Sequence, residues 1–182
     1  MIDCIKRHQE SKPLLFIIMG VSGSGKSTIA FELAKLNSFH FLEADDYHSE
    51  TAKQKMQNGQ ALTDEDRRPW INSMCKTLET LTKSKIDCCL AYSGLRKDHR
   101  QEFRRLGYQV IFIHLSGTIG QLEQNLKRRE SHFFEPSLLS SQFDAMQAPE
   151  HESDIVTINI KESIDETVML AQAIVLENMT TH

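Results

Sequence analysis

The chain has 182 residues, 40% of them hydrophobic and 25% charged, the proportions of an ordinary globular protein long enough to bury a core. Its formal net charge of −4 excludes a generic nucleic-acid binder, which would carry a basic excess. No apolar run approaches the ~20 residues that cross a bilayer, so neither nucleic acid nor membrane is expected as a partner.

The opening, "MIDCIKRHQESKP", carries charges with no apolar run behind them. No secretory leader is expected, and residues to about 12 read as a flexible tail. Leu14–Met19 is a short apolar run ending in a glycine-rich turn, the pattern of a buried parallel strand. Lys26–Leu36 then carries Ile29, Ala30, Leu33 and Ala34 at helical spacing. "FHFLEAD" (39–45) reads as a second strand that closes on acids. Ser49–Lys83 is helical and polar, broken at "NGQALTDEDRRPW", where Thr63 and Asp66 are spaced as a helix cap.

"IDCCLAYS" (86–93) and "YQVIFIHL" (108–115) are the third and fourth strands, with a helix over Lys97–Leu106 between them. Thr118–Arg129 is helical, "RRESHFFEPS" mixes cations, aromatics and a proline, "DIVTINI" (154–160) is a fifth strand, and Ser163–Glu177 a closing helix. Strands alternating with helices predict an α/β fold of three layers, α/β/α, around a mainly five-stranded parallel sheet. No repeat or linker divides the chain, so one domain over residues 1–182 is expected. Cys4, Cys75, Cys88 and Cys89 lack metal-ligand spacing. Cys88 and Cys89 read as buried apolar thiols, and a reducing cytosol is the natural compartment.

The most specific motif is "MGVSGSGKST" (19–28). Gly20, four residues, then Gly25, Lys26 and Ser27 match the P-loop pattern, placed between a strand and a helix as the chemistry requires. Loop amides converge on phosphate oxygens only where little Cβ bulk intervenes, hence Gly20, Gly23 and Gly25. Lys26 supplies charge to the β and γ phosphates, Ser27 a hydroxyl to Mg2+, and the helix its positive end. Gly20, Val21, Ser22, Gly23, Ser24, Gly25, Lys26, Ser27 and Thr28 form the expected cradle for ATP or GTP. The motif identifies a phosphate donor and leaves the acceptor open.

The acceptor side starts at "EADDYH" (43–48). Glu43 and Asp45, two apart on an extended strand beside that of the P-loop, would point the same way. There they could serve the metal and the acceptor's hydroxyl proton. Asp46 reads as a solvated group, and His48 equally as a surface residue or an acceptor contact. Arg67 could grip a carboxylate with two parallel hydrogen bonds, or pair with Asp64 or Asp66. Trp70 reads as a packing residue. Ser93 and Gly94 fall at the sheet's carboxyl edge, where such folds bind ligands. Arg96, Lys97 and Arg100 add local positive charge there, with a solvated helix face as the alternative for Lys97 and Arg100.

Taken together, "MGVSGSGKST", "FLEADDYH", "KMQNGQALTDEDRRPW", "SGLRKDHR" and "RRESHFFEPSLLSSQF" resemble the small P-loop gluconate kinases, relatives of shikimate kinase. The P-loop is shared with many families; the run from Gly59 to Trp70 and "HFF" are the more diagnostic. The resemblance implies ATP-dependent phosphorylation of D-gluconate to 6-phospho-D-gluconate by a cytoplasmic homodimer that uses Mg2+. It implies that Lys26 and Arg129 stabilise the transferring phosphoryl group while Asp45 orients or deprotonates the acceptor hydroxyl. Ser27 and Glu43 would face the metal, and Asp45, His48, Arg67, Ser93, Gly94 and Arg96 the sugar acid. Residues about 127–142 would form a short lid, with His132, Phe133 and Phe134 as hinge and latch. Closure would exclude water and deliver Arg129.

Several positions depart from the family's pattern. Glu43-Ala44-Asp45 stands where Asp-Gly-Asp is usual, Ala61 where proline is, and Asn125 where a helix arginine is. Gly94-Leu95-Arg96 replaces Ala-Leu-Lys. These changes bear on the acceptor more than on the fold. Another small hydroxy acid, shikimate-like, or a nucleotide-binding module without catalysis are the alternatives.

Overall fold

The computed structural model describes residues 11–60, 62–128 and 136–180. Among these, five strands form one sheet: β1 (Leu14–Met19), β2 (His40–Glu43), β3 (Cys88–Ala91), β4 (Gln109–Ser116) and β5 (Ile155–Asn159). Their order across the sheet is β2-β3-β1-β4-β5, and every neighbouring pair is parallel. The helices are α1 (Lys26–Asn37), α2 (Glu50–Gln57), α3 (Asp64–Lys83), α4 (Lys97–Arg104), α5 (Ile119–Lys127), α6 (Pro136–Ala145) and α7 (Ile164–Thr180). None of the described helices is long and apolar enough to cross a membrane.

Strand β1 is central, so both its faces must be apolar, and its six residues are all buried. Alternate side chains serve opposite layers. Leu14, Phe16 and Ile18 join Ile29 and Leu33 of α1, Leu122 of α5, and Ala171 and Val175 of α7. Leu15, Ile17 and Met19 join Trp70, Ile71, Met74 and Leu78 of α3 and Phe103 of α4. The fold is therefore a three-layer α/β/α sandwich. Truncating one of these aliphatic side chains to alanine would cost about 2–5 kcal/mol.

Local chemistry sets the helix starts. At α3 the Thr63 hydroxyl accepts from the Asp66 amide at 3.2 Å, and the Asp66 carboxylate accepts from the Thr63 amide at 3.0 Å. This reciprocal cap forms although Asp is shorter than the usual Glu or Gln. Lys55 adds a 2.7 Å contact to the same carboxylate, and these partners hold Asp66 down to a pKa of about 2.

The strand order differs from expectation in one respect that matters for the site. Strand β2 is not beside β1, because β3 lies between them. The residues bordering the P-loop are consequently those leaving β3, and the Gly20 amide donates to the Ser93 carbonyl at 3.2 Å. Strand β2 also stops at Glu43, and Ala44–Tyr47 turns as a short 3-10 helix. Glu43 and Asp45 thus do not share one strand face. Helix α5 ends at Lys127, two residues before the expected end, and α6 runs to Ala145, beyond the expected lid boundary. Ala61, Arg129, His132, Phe133 and Phe134, with the tail over residues 1–10, lie outside the described residues.

Candidate active site

With every strand parallel, all the carboxyl ends open on one edge of the sheet, and three of them build the site. Strand β1 feeds the P-loop. Gly20, Gly23 and Gly25 have φ of 147°, 82° and 89°, a region that side-chain-bearing residues rarely adopt. A Cβ on Gly20 would meet the Leu115 carbonyl oxygen at 2.7 Å, and one on Gly23 the Leu122 carbonyl oxygen at 2.6 Å. The loop is thus bare because its own surroundings leave no room. Lys26 donates to the Val21 carbonyl at 3.0 Å, closing the loop on itself. Ser24 is buried, and its hydroxyl has no hydrogen-bond partner among the described residues.

Ser27, in the first turn of α1, lies close enough to Glu43 at the end of β2 for its hydroxyl to favour the charged carboxylate. Burial raises the Glu43 pKa, the Ser27 hydroxyl opposes it, and the charge of Asp45 adds to the rise. A serine hydroxyl beside a carboxylate is a hard-oxygen donor pair, which suits Mg2+ when nucleotide phosphates and water complete its shell. Among the described residues there is no cluster of three or more acidic, histidine or cysteine side chains that would hold a metal alone. The cradle and the donor pair fit a magnesium nucleotide.

The acceptor-side residues come from β2, β3 and α3. Asp45 is exposed on the 3-10 turn, 3.8 Å from His48 Nε2. His48 itself is buried and stacks on Trp70 with ring centroids 4.1 Å apart. Burial lowers its pKa, against the opposing charge of Asp45, and its Nδ1 has no hydrogen-bond partner among the described residues. Arg67 reaches Asp64 at 3.1 Å, and Arg96 reaches the other oxygen of the same carboxylate at 3.2 Å. Asp64 therefore holds two cations together, from α3 and from the β3–α4 loop. Gly94, in that loop, has φ 63° and packs against Met19, where a Cβ would lie 2.7 Å from the Met19 sulfur.

Some neighbours escaped the sequence reading. His99 sits three positions after Arg96, in the first turn of α4, and Tyr92 Oη lies 3.5 Å from its Nδ1. That i, i+3 spacing was the available signal. Asn125 donates to the Gly23 carbonyl at 2.9 Å, and Gln142 contacts Ser22 twice; separations of 102 and 120 residues leave no local signal. Arg100 is not on a solvated face. It is fully buried, bound to the Gly94 carbonyl at 2.6 Å and to Glu152.

A P-loop between β1 and α1, at the carboxyl edge of a five-stranded parallel sheet, defines a small P-loop phosphotransferase. A family model described as an AAA domain matches residues 15–149. A gluconokinase of Gluconobacter oxydans is 33% identical over 171 residues, covering 94% of this chain and 92% of the relative. A gluconokinase of Arabidopsis thaliana is 42% identical over 151 residues, covering 74% and 78%. The crystal structure of a gluconokinase from Sinorhizobium meliloti superposes with a TM-score of 0.80 at 28% identity, covering 94% of this chain and 98% of that one. The chain belongs to the gluconokinase family.

Proposed function

We propose that this protein transfers the γ-phosphoryl group of ATP to the primary hydroxyl of D-gluconate, giving 6-phospho-D-gluconate and ADP. What supports the reading is that Asp64 bridges Arg67 and Arg96, and that Arg96 belongs to the same loop as Gly94, which packs on Met19 at the root of the P-loop. A sugar acid needs cations for its carboxylate at one end and a phosphoryl donor at the other.

In this reading the P-loop amides and Lys26 bind the β and γ phosphates. Ser27 and Glu43 would hold Mg2+, which when bound neutralises charge on the phosphate oxygens. Asp45 accepts or orients the hydroxyl proton, from an exposed position where solvent keeps it available. Arg67 and Arg96 grip the carboxylate, Ser93 and Gly94 line the floor between them and the P-loop, and His48 faces the polyol from its shelf on Trp70. Arg129, outside the described residues, keeps the role implied by the resemblance, bringing a guanidinium to the transferring group. Placement and charge suffice for such chemistry, since the transition state is loose. Cytoplasmic residence and a homodimer belong to the same proposal.

The test is ADP release measured over a panel of gluconate, shikimate, other hydroxy acids and nucleoside monophosphates. Gluconate is expected to stimulate release far above the rate without acceptor, and Lys26→Ala to abolish the stimulation. Stimulation by another acid but not by gluconate contradicts the acceptor assignment. ATP binding without transfer to any acceptor contradicts the kinase reading.

A further inference from the structure

Between the lid region and β5, the chain passes from the P-loop to the acceptor loop within six residues. At one end Gln142, on α6, is bound to Ser22 by two hydrogen bonds. The Ser22 amide donates to Gln142 Oε1 at 2.7 Å, and Gln142 Nε2 donates to the Ser22 hydroxyl at 2.9 Å. At the other end Gln147 is bound to the β3–α4 loop. Its amide donates to the Leu95 carbonyl at 2.8 Å, and its side-chain oxygen accepts from the Lys97 amide at 2.6 Å.

Gln147's carbonyl accepts from buried Arg100 at 3.1 Å, while the same guanidinium donates to the Gly94 carbonyl at 2.6 Å and ion-pairs with Glu152. Burial would raise the Glu152 carboxyl, and the hydrogen bonds from Arg100 and Arg104 outweigh it, keeping it below the ordinary carboxylate range. A charged group without exposure persists only when fully paired, so this anchor resists displacement. Between the two ends, Phe143, Ala145 and Met146 pack on the core, and the Met146 amide closes a turn on the Phe143 carbonyl at 3.1 Å. The intervening stretch is therefore stiff.

We propose that residues 142–147 are a tie between the phosphate loop and the acceptor loop, with Gln142 and Gln147 as positioning residues, and that through it nucleotide and sugar acid tighten each other's binding. The direct Gly20–Ser93 backbone bond joins only the roots of the two loops. The tie joins their outer parts, Ser22 to Leu95 and Lys97, which are the parts a ligand would press on. When phosphates settle on the P-loop they fix Ser22, and the stiff segment then holds the acceptor loop in one placement, so the sugar acid binds to a loop already ordered. Linkage makes the effect reciprocal. The inference rests on the gluconate reading for the identity of the second ligand.

The test is a binding cycle by calorimetry on the full chain. Gluconate affinity is measured with and without a magnesium-bound, non-hydrolysable ATP analogue, for the unaltered protein, Gln142→Ala, Gln147→Ala and the double variant. The unaltered protein is expected to bind gluconate at least about fivefold tighter when the analogue is present. In either single variant the ratio should fall below about twofold, with no further fall in the double variant, because one broken end already disables the tie. Melting temperatures are followed in parallel, and both glutamines lie far enough from the core centre for the variants to fold.

A ratio near one in the unaltered protein, or an undiminished ratio in both single variants, overturns the tie. In that case both ligands still bind, so the kinase reading survives. Absence of any gluconate binding contradicts that reading and the tie together.

Discussion

The indole N–H of Trp70 donates to the carbonyl of Ala44 at 2.6 Å, in a buried setting. Helix α3 thereby holds the 3-10 turn that carries Asp45, and the same indole face supports His48. Trp70→Phe would keep the aromatic packing and leave the Ala44 carbonyl buried and unpaired, a loss of about 1–3 kcal/mol. Denaturant titration should show that loss. Steady-state kinetics should show a raised KM for the acceptor and a lower kcat, with the KM for ATP little changed, because the indole bonds the Ala44 carbonyl and stacks on His48, both on the acceptor side.

Asp64 bridges Arg67 and Arg96, and a sugar-acid carboxylate would compete for the same guanidinium donors. Arg67→Lys keeps the charge and removes the planar fork. The expected outcome is an acceptor KM raised by roughly tenfold or more, as for one lost charge-assisted hydrogen bond, with the KM for ATP unchanged. A lysine variant indistinguishable from the parent would remove Arg67 from the carboxylate site.

His48, His99 and His114 are each shifted below the ordinary 6.5, chiefly by burial. Between the folded value and 6.5 the unfolded chain binds protons that the folded chain does not, so stability rises with pH through that interval. It is fully present above about 6.5 and declines as acid is added. Glu43 acts in the opposite sense: its raised pKa makes the folded chain hold a proton above 4.5 that the unfolded chain releases. Its contribution is therefore lost as pH rises through its folded value. Thermal melts between neutral pH and mild acid should show a falling midpoint. His48→Gln should flatten part of that slope.

Gly94 stands where the family has alanine, and the structure explains how glycine is used here. Its φ is 63° and Met19 packs where a Cβ would go. Gly94→Ala should cost about 1–3 kcal/mol through backbone strain, besides displacing Met19. Calorimetric melting would measure it, and acceptor affinity should fall with stability, since the altered loop carries Ser93 and Arg96.

Much of this architecture was legible because it is written in local chemistry. The P-loop motif, the alternation of strands with helices and the Thr63–Asp66 cap all depend on residues a few positions apart. Strand order does not: nothing within β2 states that β3 will insert between it and β1. The buried state of Arg100 was equally hidden, because its partner Glu152 lies 52 residues on and a basic helix position reads as solvated by default. Asn125 is the instructive departure. Where the family has an arginine, its amide secures the Gly23 carbonyl, a role that a sequence read as lost charge could not reveal.

The most direct measurement is the structure of the product. The purified protein, ATP, Mg2+ and D-gluconate would be followed by phosphorus and carbon NMR, with Asp45→Asn alongside. A single phosphomonoester coupled to the C6 methylene is predicted, formed about 10²–10⁴-fold more slowly by the variant. Inorganic phosphate as the sole new signal, or a phosphate on another carbon, would contradict the account.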